Sequence, residues 1–221
     1  MPYYDPRPVP AHGDSESTVF LVNEAPGPCE AHYGIPSVGQ QGGNIYRTLR
    51  KAKIDWAIGY ENFSWPILIQ EDYKYPNRKQ NTFVLRDAFL ALRAKYMTCT
   101  NAYHLWPSSS SKSNDWVDPA TDDVLSQNNI ARLRTEIPPH HRVILVCGEY
   151  AWKACHGSCL LQPSKHEGTA LNSKELECIN SRLNANFTDG WYMGHTRRWS
   201  FNTTRISNVL QSVTLAAKWH R

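Results

Sequence analysis

Three short runs of β-branched and apolar residues constrain this chain more than any other feature. They lie in residues 18–23, around Val19, Phe20, Leu21 and Val22; in 96–101, around Met97, Thr98, Cys99 and Thr100; and in 142–148, around Val143, Ile144, Leu145 and Val146. Each has the length of a strand, and each runs directly into a polar or turn-forming residue. The stretches between them carry helical periodicity. Ile45, Leu49 and Ala52 repeat at helical spacing with Arg47, Arg50 and Lys51 on the other side. Phe83, Leu85, Ala88, Phe89 and Leu92 predict a helix over residues 82–95. A further helix is expected from Thr121 or Asp122 to about Ile137, stopped by Pro138 and Pro139, then a short one over 149–155, a strand over 191–195 and a last helix over 202–218. Strands alternating with helices in this way predict an α/β fold: a three-layer α/β/α sandwich around a mostly parallel central sheet of about four strands. Residues 54–80 fit no single period. They hold Trp56, Tyr60, Phe63, Trp65, Tyr73 and Tyr75, and the region from about 54 to 95 is expected to be an aromatic-rich insertion.

The 221 residues match one domain, since domains usually run to about 100–200 residues. Hydrophobic residues make up 41% of the chain, enough for a buried core, so disorder is excluded for its bulk. No apolar run approaches the ~20 residues that span a bilayer, so no membrane partner is expected. The start of the chain, with Pro2, Pro6, Pro8 and Pro10, lacks the cationic and apolar segments of a secretory signal and reads as an extended lead-in to a cytoplasmic protein. Six cysteines in a chain of this size are expected to be reduced thiols. The net charge of +4 is compatible with a nucleic-acid partner but does not require one. The polar stretch from Trp106 to Pro119 is expected to be a surface loop.

In an open α/β sheet the ligand site lies beyond the carboxyl ends of the strands. The residues expected there are Asn23 and Glu24, Asn101, Gly148 and Glu149, and His195. An acid, an amide and an imidazole in one crevice can activate a water, read the edge of a base and stabilise a leaving anion.

Asn23-Glu24-Ala25-Pro26-Gly27-Pro28-Cys29-Glu30, followed by Gly34-Ile35-Pro36-Ser37-Val38-Gly39 and by Gly42-Gly43, resembles the first motif of the uracil-DNA glycosylase superfamily. The branch it is most similar to carries G-E-A-P-G-x-x-E followed by G-x-P-F-V-G. Thr100-Asn101 resembles that family's strand-end T-N, residues 143–151 its L-G-x-x-A strand and turn, and Gly194-His195-Thr196 its closing H-P-S-P. The resemblance implies a monomeric DNA glycosylase, which flips a nucleotide out of single- or double-stranded DNA and hydrolyses its N-glycosidic bond to leave an abasic site. It implies that Glu24 positions the water and stabilises the sugar cation, and that Glu30 holds the loop or assists. Asn101 reads the base edge, and His195 donates to the base carbonyl as charge grows there. Arg197, Arg198 and Trp199 fall where the family inserts a wedge into the duplex. The backbone N–H groups of Gly27 and of the 39–43 stretch, with Gly42 and Gly43, are expected near base and phosphates.

Four departures shape the expectation further. Ser37 stands where the family has a base-stacking Phe, which predicts a wider pocket. Asn23 replaces the leading Gly, and Thr196-Arg197-Arg198 replaces P-S-P. The iron–sulfur cysteines of the branch are missing, Tyr103-His104-Leu105-Trp106-Pro107 standing where K-C-R-P-P is usual, so no cofactor is expected. Cys155, Cys159 and Cys178 with His156 and His166 lack paired C-x-x-C spacing, and no metal is expected either. Together with the aromatic region, the changes point to a bulky modified pyrimidine, such as the glucosylated hydroxymethylcytosine of phage DNA, and to anti-phage defence. The rivals are excision of uracil for repair, covalent capture of the abasic sugar, and non-catalytic binding of damaged or single-stranded DNA.

Overall fold

Continuous apolar runs form strands buried on both faces, and the computed structural model, which describes residues 2–58, 68–74, 79–85, 87–110, 116–158, 167–196 and 203–218, is organised around three of them. In chain order the elements are β1 (Tyr3–Tyr4), β2 (Val19–Asn23), α1 (Pro28–Tyr33), α2 (Gln40–Lys51), α3 (Asp55–Ile58), β3 (Leu68–Lys74), β4 (Lys79–Leu85), α4 (Asp87–Tyr96), β5 (Met97–Asn101) and β6 (Pro107–Ser108). They continue with α5 (Thr121–Leu125), α6 (Gln127–Thr135), β7 (Val143–Val146), α7 (Glu149–His156), β8 (Thr169–Ala170), α8 (Ser173–Leu183), β9 (Asp189–Tyr192) and α9 (Thr203–Ala216).

Among the described residues the main sheet has five strands in the order β5-β2-β7-β9-β8. β2 pairs in parallel with β5 on one side and with β7 on the other, and β7 pairs in parallel with β9. The two-residue β8 runs antiparallel to β9. The sheet is therefore mixed, with an antiparallel edge that the expected sheet of about four strands did not contain. Every residue of β2, β5 and β7 is buried.

Side chains alternate across a strand, so the sheet divides the core in two. Val19 and Leu21 of β2 face Ile45 and Leu49 of α2, Phe89 of α4, and Ile206 and Leu210 of α9. Phe20 and Val22 face the other way, onto Ile130 and Leu133 of α6, Trp152 of α7, and Ile179 and Leu183 of α8. Helices thus cover both faces, each fully buried Leu, Ile or Phe contributing roughly 1.5–3 kcal/mol. No described helix is long and apolar enough to cross a membrane.

Several elements differ from the sequence reading. Residues 82–85 belong to the strand β4, paired antiparallel with β3, and the helix starts only at Asp87. Phe83 and Leu85 fit the period of two as well as that of 3.6, which is why a helix over 82–95 was expected. The helix expected over 121–137 is broken at Ser126, whose Oγ accepts from the Asn129 N–H and starts a second helix. α8 lies between the short helix expected over 149–155 and the strand expected over 191–195, in a polar stretch with no clear helical period. Its start is a capping box, in which the Asn172 side chain accepts from the Glu175 N–H and the Glu175 carboxylate accepts from the Asn172 N–H. α1 lies within the Gly/Pro loop, with Pro28 in its first turn and Gly34 closing it at φ 68°. The lead-in at residues 3–4 is extended as expected, and it pairs with β6.

Candidate active site at the strand ends

The parallel register sets Asn23 directly beside Asn101, at the ends of β2 and β5. Both side chains lie on the sheet face that carries Leu21 and Cys99, and both are buried. The Asn23 amide is fixed: its Nδ2 donates to Ser37 Oγ at 2.8 Å and to the Thr100 carbonyl at 3.5 Å. A carbonyl can only accept, so the nitrogen faces Thr100 and Oδ1 faces away. That Oδ1 accepts nothing among the described residues. Asn101 is fully enclosed, and both its Oδ1 and its Nδ2 lack a partner there as well. Buried amides are nearly always satisfied, and leaving one unpaired costs about 1–3 kcal/mol per group. Three such amide atoms, unpartnered among the described residues, stand together on adjacent strand ends.

Glu24 follows at the carboxyl end of β2. Its Oε1 accepts from the Glu149 N–H at 2.7 Å and from the Tyr150 N–H at 3.4 Å, at the start of α7. The close approach depends on Gly148, at φ 102° and ψ 176°, where a Cβ would collide with the Glu24 carboxylate. Burial pushes the Glu24 carboxyl up to about 7, and the negative charges of Asp118 and Glu149 act in the same direction. The two backbone N–H groups act against them by favouring the carboxylate. Its second oxygen, Oε2, lies 3.4 Å from Nε2 of His195, a contact that becomes an ion pair when the imidazole is protonated. β9 ends at Tyr192, so His195 sits three residues beyond the strand rather than on it. Gly194 at φ 65° turns the chain there.

Glu30 lies in α1 and turns back into its own loop. Its Oε2 accepts from the Gly27 N–H at 2.8 Å, and its Oε1 accepts from the Ser37 N–H. Burial raises this carboxyl also to about 7, opposed by those two bonds and by the Arg93 guanidinium. Arg93, fully buried on α4, donates to the Ser37 and Pro36 carbonyls at 2.9 and 3.0 Å. Glu30 and Arg93 thus both anchor the 27–37 segment, the acid through the segment's N–H groups and the guanidinium through its carbonyls.

These bonds change the reading of several residues. Ser37 is completely enclosed, at φ 54°, with its N–H, carbonyl and Oγ all hydrogen-bonded, so it opens no extra space for a base. The Gly27 N–H is taken by Glu30 and is not offered to a ligand. Gly42 and Gly43 are buried in the first turns of α2, where the Gly43 N–H closes onto the Gly39 carbonyl. Asn44 of the same helix donates to the Thr196 carbonyl at 3.4 Å, tying α2 to the His195 loop. Trp56 is buried in the core, stacked on Tyr96 at 4.9 Å, and Tyr60, Phe63, Trp65 and Tyr75 lie outside the described residues. Arg197, Arg198 and Trp199 lie outside them too, as do Cys159 and His166. Cys155 is buried and Cys178 exposed.

Two residues that the sequence reading passed over support Asn101. Arg132 on α6 donates to the Asn101 carbonyl at 2.8 Å and pairs with Glu136 at 2.7 Å. Asn129 donates to the next carbonyl, Ala102, at 2.6 Å. An Arg and a Glu four apart on a helix are ordinarily a solvated pair, and only the return of α6 to the end of β5 gives them this use. In comparisons with known proteins, no family model and no curated sequence matches the chain.

Proposed function

We propose that the protein is a DNA glycosylase that accepts a flipped pyrimidine nucleotide at the ends of β2 and β5 and hydrolyses its N-glycosidic bond. The observation that carries this reading is the enclosed Asn101 amide, with donor and acceptor both unpaired, on the strand adjacent to Glu24. An amide in that state is suited to the paired donor and acceptor of a base edge. The resemblance of residues 23–43, 100–101 and 194–196 to the uracil-DNA glycosylase motifs agrees with it.

The chemistry asked of the site is modest in number of groups. Cleavage of the bond leaves a cationic sugar and an anionic base. Glu24, with a carboxyl near 7, is ionised in a substantial fraction at neutral pH and is matched to accepting a proton from water while facing a positive sugar. His195, at 3.4 Å from Glu24, is assigned the donation to the departing base on the resemblance of residues 194–196 to the family's closing motif. Glu30 is given the role of holding the loop, because it is buried and both of its oxygens accept from backbone N–H groups of that loop. A bulky modified base remains within the proposal, without the argument from Ser37. Water access is closed at the amides in this conformation, so a base reaches them only when the side chains covering them give way.

The test is abasic-site formation, read as alkali-labile strand breaks, on matched DNAs containing uracil, hydroxymethylcytosine or glucosylated hydroxymethylcytosine. Breaks on at least one of them, lost in Glu24→Gln and His195→Ala, support the proposal. No breaks on any of them with the wild-type protein contradicts it.

A further inference from the structure

The amide beside Asn101 has no counterpart in the motif that the sequence resembles, where a glycine precedes the acid. Asn23 brings a side chain to the place where a flipped base meets the sheet, and the orientation of that side chain is determined. Its nitrogen is held by Ser37 Oγ and the Thr100 carbonyl, at 2.8 and 3.5 Å, so the one group it can offer is the oxygen Oδ1. Oδ1 is buried and unpartnered among the described residues, and Asn101 Nδ2 does not fill it although the two residues stand side by side in register. Adjacent strands lie about 4.8 Å apart, so the two side chains are near enough for one base edge to meet both.

The three atoms therefore present two acceptors and one donor: Asn23 Oδ1, Asn101 Oδ1 and Asn101 Nδ2. Uracil offers one ring N–H between two carbonyls. Asn101 alone satisfies that N–H and one carbonyl, and Asn23 Oδ1 would then face another oxygen or nothing. A base with an exocyclic amino group next to an unprotonated ring nitrogen offers two N–H bonds and one acceptor. Its amino group donates one hydrogen to each amide oxygen, and its ring nitrogen accepts from Asn101 Nδ2. A site built to receive a hydrogen bond rejects the partner that lacks it more strongly than an apolar pocket rejects a change of size.

We infer that Asn23 is a specificity-determining residue, which accepts a hydrogen bond from an exocyclic amino group and so sets the site to aminated bases, of the cytosine or adenine kind, in preference to uracil. The inference rests on the assignment of these strand ends as the base site, and on the edge pattern of the base rather than on its being a pyrimidine. It does not require that the bond be hydrolysed, and it can be tested by binding alone.

The experiment is equilibrium binding of free 2′-deoxycytidine, 2′-deoxyadenosine and 2′-deoxyuridine to the full chain, followed by the side-chain amide signals of Asn23 and Asn101 in a ¹⁵N-correlated NMR titration at millimolar ligand. The expected result is that deoxycytidine or deoxyadenosine binds at least about tenfold more tightly than deoxyuridine, about the value of one good hydrogen bond. Which of the two aminated nucleosides binds identifies the base class. In Asn23→Ala the ratio falls to about one, whereas Asn101→Ala weakens all three. Ser37→Ala, which frees the Asn23 amide to turn without altering it, lowers the ratio part of the way. Equal or tighter binding of deoxyuridine by the wild-type protein overturns the inference, and so does the absence of binding by all three. A ratio unchanged in a folded Asn23→Ala does the same. Selective binding without abasic-site formation would leave Asn23 in its role and remove the glycosylase assignment instead.

Discussion

Nε2 of His195 stands 3.4 Å from Oε2 of Glu24, joining the loop beyond β9 to the end of β2 across the intervening strand β7. The same carboxylate receives two N–H groups from the start of α7 through its other oxygen. One acid is thus oriented by a helix end on one side and an imidazole on the other. Its removal should separate chemistry from binding.

Glu24→Gln keeps an oxygen for the Glu149 N–H but removes the base. Abasic-site formation is expected to fall by about 10²–10⁴-fold, the usual range for a positioned proton acceptor, with DNA affinity unchanged. Single-turnover cleavage and a filter-binding assay on the same DNA check the two halves separately. In the wild type the rate should decline as pH falls below about 7, where Glu24 takes up a proton.

The two raised carboxyls have an effect on stability with the opposite sense. Glu24 and Glu30 both bind a proton at about 7 in the folded chain, against 4.5 ordinarily. Between those values the folded state holds protons that the unfolded state has released, so stability is highest at low pH and is lost as pH rises through about 7. The loss amounts to at most about 3 kcal/mol for each group. Urea denaturation from pH 5 to pH 8 should show the midpoint falling, and Glu24→Gln should flatten part of that slope while raising stability at pH 8.

Glu30→Ala leaves the Gly27 and Ser37 N–H groups unpaired beside the buried Arg93. The expected cost is about 3–5 kcal/mol, typical of breaking a buried charged network, seen as a lower thermal midpoint. Glu30→Gln, which retains one oxygen, should cost less.

Gly148→Ala places a methyl against the Glu24 carboxylate at a backbone conformation that favours glycine. About 1–3 kcal/mol of stability should be lost, together with activity, because Glu24 cannot keep its place. Calorimetry and the cleavage assay should move together in this variant, unlike Glu24→Gln.

Arg132 holds the Asn101 carbonyl, and under the proposed function it acts on the base through that residue. Arg132→Gln is expected to raise KM by about tenfold with a much smaller change in kcat, and Arg132→Lys to restore part of the loss. An equal fall in kcat would assign Arg132 a purely structural role.

The strands at the centre of the sheet were legible because Val19 to Val22 and Val143 to Val146 are continuous apolar runs with abrupt polar ends, a pattern with few alternatives. The meeting of Asn23 and Asn101 followed from those ends, since parallel strands bring their carboxyl termini to one edge. β3 and β4 were not legible, because Gln70, Glu71 and Asp72 interrupt any alternation and the pairing itself supplies their order. α8 was hidden by its polar surface, its buried positions reducing to Glu175, Ile179 and Leu183. Arg93 was unreadable for a different reason. An Arg on an amphipathic helix is normally solvated, and its burial here is set by two loop carbonyls distant in sequence. Ser37 looked like lost volume in the sequence, whereas in the fold its Oγ is the acceptor that fixes Asn23.

The most direct test of the account is whether Asn101→Ala and Glu24→Gln affect different steps on one DNA that the wild-type protein cleaves. The account predicts that Asn101→Ala raises KM for every base and narrows discrimination among them, whereas Glu24→Gln removes turnover and leaves base discrimination in binding intact. Loss of neither activity nor discrimination in a folded Asn101→Ala would contradict it.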